Sequence, residues 1–106
     1  MSGRHARILA ELAAMHARRG DLDTAHTIWE EVRERARTSH VGTAEQATIA
    51  ASAGELSEAR RLLAKAIAER DPYLGFWKLP AWASIWNDAE CAALLRATSL
   101  LHVYTN

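Results

Sequence analysis

Apolar and aromatic residues recur at helical spacing on either side of Gly20. Ile8, Leu9, Leu12, Met15 and His16 precede it, and Leu22, Ala25, Ile28, Trp29 and Val32 follow. With about 3.6 residues per turn, each set forms one stripe, so the pattern predicts two amphipathic helices. Gly20 falls where the first must stop, because glycine takes the left-handed conformation of a helix end without strain. Asp21 or Asp23 is placed to accept from the free amides of the second helix. Ala25 leaves room for two helices to approach closely. Residues 41–53 predict a shorter helix ended by Gly54, and Glu55, Ser57 and Glu58 open a fourth. Its stripe is Leu56, Ala59, Leu62, Leu63, Ala66 and Ile67, and it runs to Arg70. Asp71-Pro72 ends it, since a residue before proline resists helical angles.

From Glu69 the pattern changes. Leu74, Phe76, Trp77, Leu79, Trp82, Ile85 and Trp86 crowd together with Pro72, Gly75 and Pro80 between them. One regular helix is excluded. The residues predict a helical turn around 72–78, a break at Pro80, a turn at 81–86, and a helix from Asn87 or Asp88 to Thr98. Asn87-Asp88 is a suitable N-cap pair, with Glu90 in the first turn.

The phrase GDLDTA at Gly20 returns as GELSEA at Gly54, a period of 34 residues with two helices per unit. That period and these positions resemble the tetratricopeptide repeat. The first unit supplies Leu9, Leu12, Ala13, His16, Gly20-Asp21, Ala25 and Trp29. The second supplies Thr43, Gln46, Ala47, Ala50, Gly54-Glu55, Ala59, Leu63 and Ala66. Thr43 and Gln46 stand where apolar residues belong, which predicts a loosely held helix or a shifted register. The same periodicities suit a plain four-helix bundle, which differs only in stacking.

The tail resembles the closing phrase of tetratricopeptide segments in multidomain bacterial winged-helix regulators, nucleotide cyclases and Ser/Thr kinases. Glu69-Arg70-Asp71-Pro72, Pro80, Trp82, Ile85, Asp88, Leu94-Leu95-Arg96 and Leu100 carry it; Ala83-Ser84, Trp86, Ala89, Cys91 and Ser99 depart from it. The resemblance implies an all-α single domain over 1–106: one hairpin at about 4–37, a second at about 38–71, and a Trp-rich helical cap at about 72–106. Two repeats are fewer than the three normally needed, so the cap is expected to act as a third layer on the last helix. Trp77, Trp82 and Trp86 serve as that cap, as an exposed hot spot for a partner, or as both, since three Trp exceed what one small face hides.

Charge narrows the function classes. Lys plus Arg and Asp plus Glu both number 13, so no net field attracts nucleic acid or anionic lipid. The single cysteine, Cys91, permits no internal disulfide and fits a reducing, cytoplasmic setting. Glu11 and His16 interrupt the apolar N-terminal stretch, so it is no signal peptide, and no run spans a bilayer.

Candidate chemistry is sparse. His5, His16, His26, His40 and His102 are scattered without metal-ligand spacing. Cys91 replaces an aromatic of the resembled phrase and reads as a small buried apolar group. Arg33, Arg35 and Arg37 alternate with Glu30, Glu31 and Glu34, the pattern of a solvated helix face. No phosphate loop occurs. The expectation is no enzyme, no cofactor and no metal.

In the resembled fold, the first helix of each unit lines an inner groove for a peptide. Carried over, that wall comprises Arg7, Ala10, Glu11, Ala14, Ala17 and Arg18, then Ala44, Glu45, Thr48 and Ser52. The small residues leave room for a ligand. Arg7 and Arg18 suit a carboxylate, and Glu11 or Glu45 a basic side chain. An unoccupied surface of helix-forming alanines reads equally well. The expected function is non-catalytic protein–protein interaction through a protein or peptide partner. The alternative is a homo-oligomerisation or regulatory segment of a larger bacterial transcriptional or signalling protein, as a homodimer through the Trp patch.

Overall fold

A computed structural model describes residues 2–97. The two expected hairpins are α1 (Ser2–Arg18) with α2 (Leu22–Arg35), and α3 (Thr43–Ser52) with α4 (Leu56–Glu69). Two 3-10 turns (Pro72–Phe76 and Pro80–Trp82) then lead into α5 (Ala83–Asn87) and α6 (Ala89–Ala97). Among the described residues there is no strand, and the chain is all-α. Thr98 and the rest of the expected cap lie outside the described residues.

Three helix ends share one device. Gly20 and Gly54 adopt φ of 81° and 84°. The Gly20 amide donates to the Ala17 carbonyl at 3.0 Å, and the Asp21 amide reaches back to His16 at 2.9 Å. Gly54 and Glu55 repeat both bonds to Ala51 and Ala50. This double return satisfies carbonyls that the helix leaves open, and it requires the left-handed residue at its centre. α4 ends the same way without glycine: Arg70 takes φ 55°, and the Asp71 amide donates to the Ala66 carbonyl at 3.0 Å.

Asp71 then does two further things. One carboxylate oxygen accepts from the Tyr73 amide at 2.9 Å and opens the first 3-10 turn. The other accepts from the Ala44 amide at 3.0 Å and so serves the first turn of α3. The phrase Arg70-Asp71-Pro72 is therefore a junction that ends α4, starts the tail and ties both to α3.

α1 packs on α2 and α3, while α3 packs also on α2 and α4; α1 and α4 share no extended face. With neighbours on all sides, α3 is buried from Ala44 to Ala53 apart from Gln46, including Glu45, Thr48 and Ser52. It is thus not loosely held, because Thr43 and Gln46 lie at its edge. Thr43 Oγ1 donates to Glu69 at 2.8 Å, and Gln46 Nε2 donates to the Val41 carbonyl at 2.9 Å. The alanines of α3 let its neighbours close in without voids.

α1 departs from its expected stripe in a related way. Ala6, Ala10, Ala13 and Ala14 are buried, while Ile8 is 54 % and Leu12 39 % exposed. Close approach selects the small side of this helix, and its bulky edge stays outside.

The tail is not a simple third layer either. α6 does lie on α4, as a cap would. The preceding segment instead crosses the first helix of each hairpin: Pro80–Trp82 packs on α1 and α3, and α5 packs on α3. Trp82 and Ile85 are fully buried there and join one core that runs from Ala6 to Leu95.

Candidate interaction site

The wall expected to form an open groove is closed by the chain's own tail. Ala10, Ala14, Thr48 and Ser52 are buried, and Glu45 is 4 % exposed. The room left by small side chains is real, but Trp82 and Ile85 fill it. Arg18 is exposed and takes no part, while Glu11 is half-buried near the Tyr73 hydroxyl.

Arg7, Glu45 and Thr48 of the wall are used internally. Arg7 Nε donates to Glu45 Oε2 at 3.3 Å. The Arg7 guanidinium also lies 5.2 Å from the centre of the Tyr73 ring and 4.8 Å from that of Phe76. An arginine expected to hold a ligand carboxylate is thus spent on a buried glutamate and two aromatic faces of the tail. Burial pushes the Glu45 carboxyl above the usual range, and nearby Asp71 adds to this, against the opposing pull of Arg7. Gly42 leaves space for that carboxylate; a Cβ there would run into it. The Thr48 hydroxyl donates to the Glu45 carbonyl at 2.8 Å. Burial also pushes the Tyr73 hydroxyl up to about 12, helped by Glu11 and Glu45. Among the described residues neither that hydroxyl nor the Trp82 indole N–H meets a partner at hydrogen-bonding geometry, although the rings lie 5.4 Å apart.

α6 is pinned by a pair that the spacing did not reveal. Asp88, at its N-cap, accepts from Arg60 on α4 at 2.7 and 3.0 Å and from the Cys91 amide at 3.0 Å. Arg60 first, and that amide second, hold the Asp88 carboxyl far below the usual range. The capping role of Asp88 was legible; its arginine, 28 residues earlier, had no local signal. Cys91 is fully buried, and burial together with Asp88 pushes its thiol up to about 12, so it is no thiolate at neutral pH.

The three tail tryptophans divide. Trp82 is core, whereas Trp77 and Trp86 are half-buried and meet edge to face, 5.6 Å between centres. Trp86 Nε1 donates to the Trp77 carbonyl at 3.1 Å. With Leu79, Pro80 and Ala83 they form a notch of about 440 Å³. Leu79 of that lining is 40 % exposed, and Phe76, earlier on the same tail segment, 43 %. Ile8 and Leu12, which the periodicity placed on the apolar stripe of α1, are exposed as well, as is Leu22 at the start of α2.

Among the described residues no group of three or more His, Cys, Asp or Glu could hold a metal ion. Among them, too, no helix is long and apolar enough to cross a membrane. Comparison with known protein families, characterised proteins and solved structures yields no match. The class of molecule that can be stated is therefore an all-helical protein whose helical hairpins carry a tail across their shared face.

Proposed function

We propose that the chain is a non-catalytic protein-interaction module of tetratricopeptide type, acting in the cytoplasm of a bacterium, with its own tail seated where such modules take a peptide. The observation that carries this reading is the distribution of apolar surface. The inner wall is filled, yet Trp77, Trp86, Phe76 and Leu79 remain accessible on one tail segment. The repeated helix ends at Gly20 and Gly54, and the sequence of contacts α1 to α3 to α4, support the stacked-hairpin type. The one buried wall carboxylate, Glu45, is paired with Arg7, which supports a non-catalytic reading.

A photo-reactive residue placed in turn at positions 12, 61 and 78, in the native cell, tests the proposal. Adducts to a different protein from position 78 support it. Absence of any protein adduct from all three positions overturns it. A second reading, a homo-oligomerising or regulatory segment of a larger bacterial protein, is favoured by the exposed edge of α1 at Ile8 and Leu12. Adducts only to further copies of the chain, with a dimer by light scattering, select that reading.

A further inference from the structure

Four features of the tail notch together specify a ligand. First, it is aromatic and preformed: the Trp77 and Trp86 planes meet at 64°, and the Trp86 indole is fixed by its bond to the Trp77 carbonyl. A cleft with one ring already held by a hydrogen bond and the other packed against it loses less freedom when something enters it. Second, it is shallow and walled by Leu79, Pro80 and Ala83, so it accepts flat apolar groups from an extended chain and not a bulky helix face. Third, a cation stands at each side. Lys78 Nζ lies 5.1 Å from the Trp77 ring centre, and the Arg96 guanidinium 5.8 Å from that of Trp86. Fourth, among the described residues no carboxylate lines it.

The charges decide between occupants. A second copy docked notch to notch would bring two Lys78 and two Arg96 together with no acid among the described lining residues to separate them, and like charges across an interface are strongly unfavourable. An acidic partner turns the same two residues into attraction. Aromatic clefts of this shape take proline rings of an extended left-handed segment, whose conformation is already set before binding. We infer that the Trp77–Trp86 notch docks an extended, proline-containing segment of a partner protein that carries a carboxylate on each side of the prolines. This rests on the interaction-module reading and names the chemistry of its partner.

The test uses the full chain and three capped synthetic peptides: prolines flanked by glutamates, the same prolines flanked by lysines, and glutamates around serines. Binding is read from the indole N–H resonances of Trp77 and Trp86. The glutamate–proline peptide should shift both and leave Trp29 still, and added salt should weaken it. Trp86→Ala should reduce affinity by at least about tenfold. Lys78→Glu with Arg96→Glu, both exposed and outside the core, should weaken that peptide by about tenfold or more and favour the lysine peptide. Equal binding of the serine peptide, or indifference to charge reversal, overturns the inference. So does a dimer that buries both indoles. If all three peptides fail while position 78 still cross-links to a partner protein, the inference falls and the interaction-module reading stands.

Discussion

Arg70 shows how a single residue can carry strain that its neighbours make worthwhile. It sits in the left-handed region that Gly20 and Gly54 occupy at the equivalent ends of α1 and α3. A side chain there costs roughly 1–2 kcal/mol, which glycine avoids, although glycine gives up part of this to the entropy of the unfolded chain. Arg70→Gly is therefore expected to stabilise by up to about 1 kcal/mol in chemical denaturation. Gly54→Ala should destabilise by a similar amount. No atom lies near the added methyl, so backbone strain alone is at stake. Tyr73 is the other informative residue. Among the described residues its hydroxyl is buried without a partner, a situation that costs about 1–3 kcal/mol relative to a satisfied group. Tyr73→Phe keeps the ring contacts with Phe76, Trp82 and Arg7 and should leave the melting temperature unchanged or higher. A clear fall would show that the hydroxyl has a role that these contacts do not reveal.

At the scale of elements, two carboxylates act in opposite directions with pH. Glu45 in α3 has its value raised on folding, so the folded form holds its proton to higher pH than the unfolded chain does. Its contribution is most favourable below the ordinary glutamate value of about 4.3 and declines as pH rises from there through the raised value. Glu45→Gln should therefore be neutral or stabilising at pH 7, and the variant should show a flatter stability profile between pH 4 and 7. Asp88 is lowered on folding by Arg60 and the Cys91 amide, so its contribution is complete above the ordinary aspartate range. That contribution is lost as pH falls below this range toward the folded value. Asp88→Asn removes the charged clamp while keeping a capping oxygen. Hydrogen exchange should accelerate in α6 with little change in α2, and an unaltered α6 would contradict the clamp.

For the molecule as a whole, the tail is part of the core and not an attachment. Trp82 is fully buried between the first helices of the two hairpins, in the same cluster as Trp29, Leu63 and Tyr73. Truncating a buried Trp to alanine costs about 3–5 kcal/mol through lost transfer energy and the cavity left behind. Trp82→Ala should therefore lower the unfolding midpoint of the entire chain in one transition, including signals from α1 and α2. A loss confined to the tail would show that the hairpins stand alone and that the inner wall can open.

Helix positions and their ends were legible because they depend on local rules. Apolar spacing located α1 to α4, and Gly20, Gly54 and Asp71-Pro72 marked their boundaries, as Asp88 marked the start of α6, through φ and through amides that need an acceptor. The all-α class followed from the same signals. Periodicity could not say which side of an alanine-rich helix faces inward, because small residues bury on close approach from several directions at once. So α1 hides Ala10 and Ala14 while exposing Ile8, and α3 hides nearly its whole circumference. The candidate groove was read as a composition of small and charged residues, which is the same whether a ligand or the chain itself occupies it. Trp82 entering the wall, Arg7 turning to Glu45 and Tyr73, and Arg60 reaching Asp88 all join residues at least 28 positions apart. Such pairings arise when the hairpins stack and a tail folds back over them, and short-range spacing carries no record of that return.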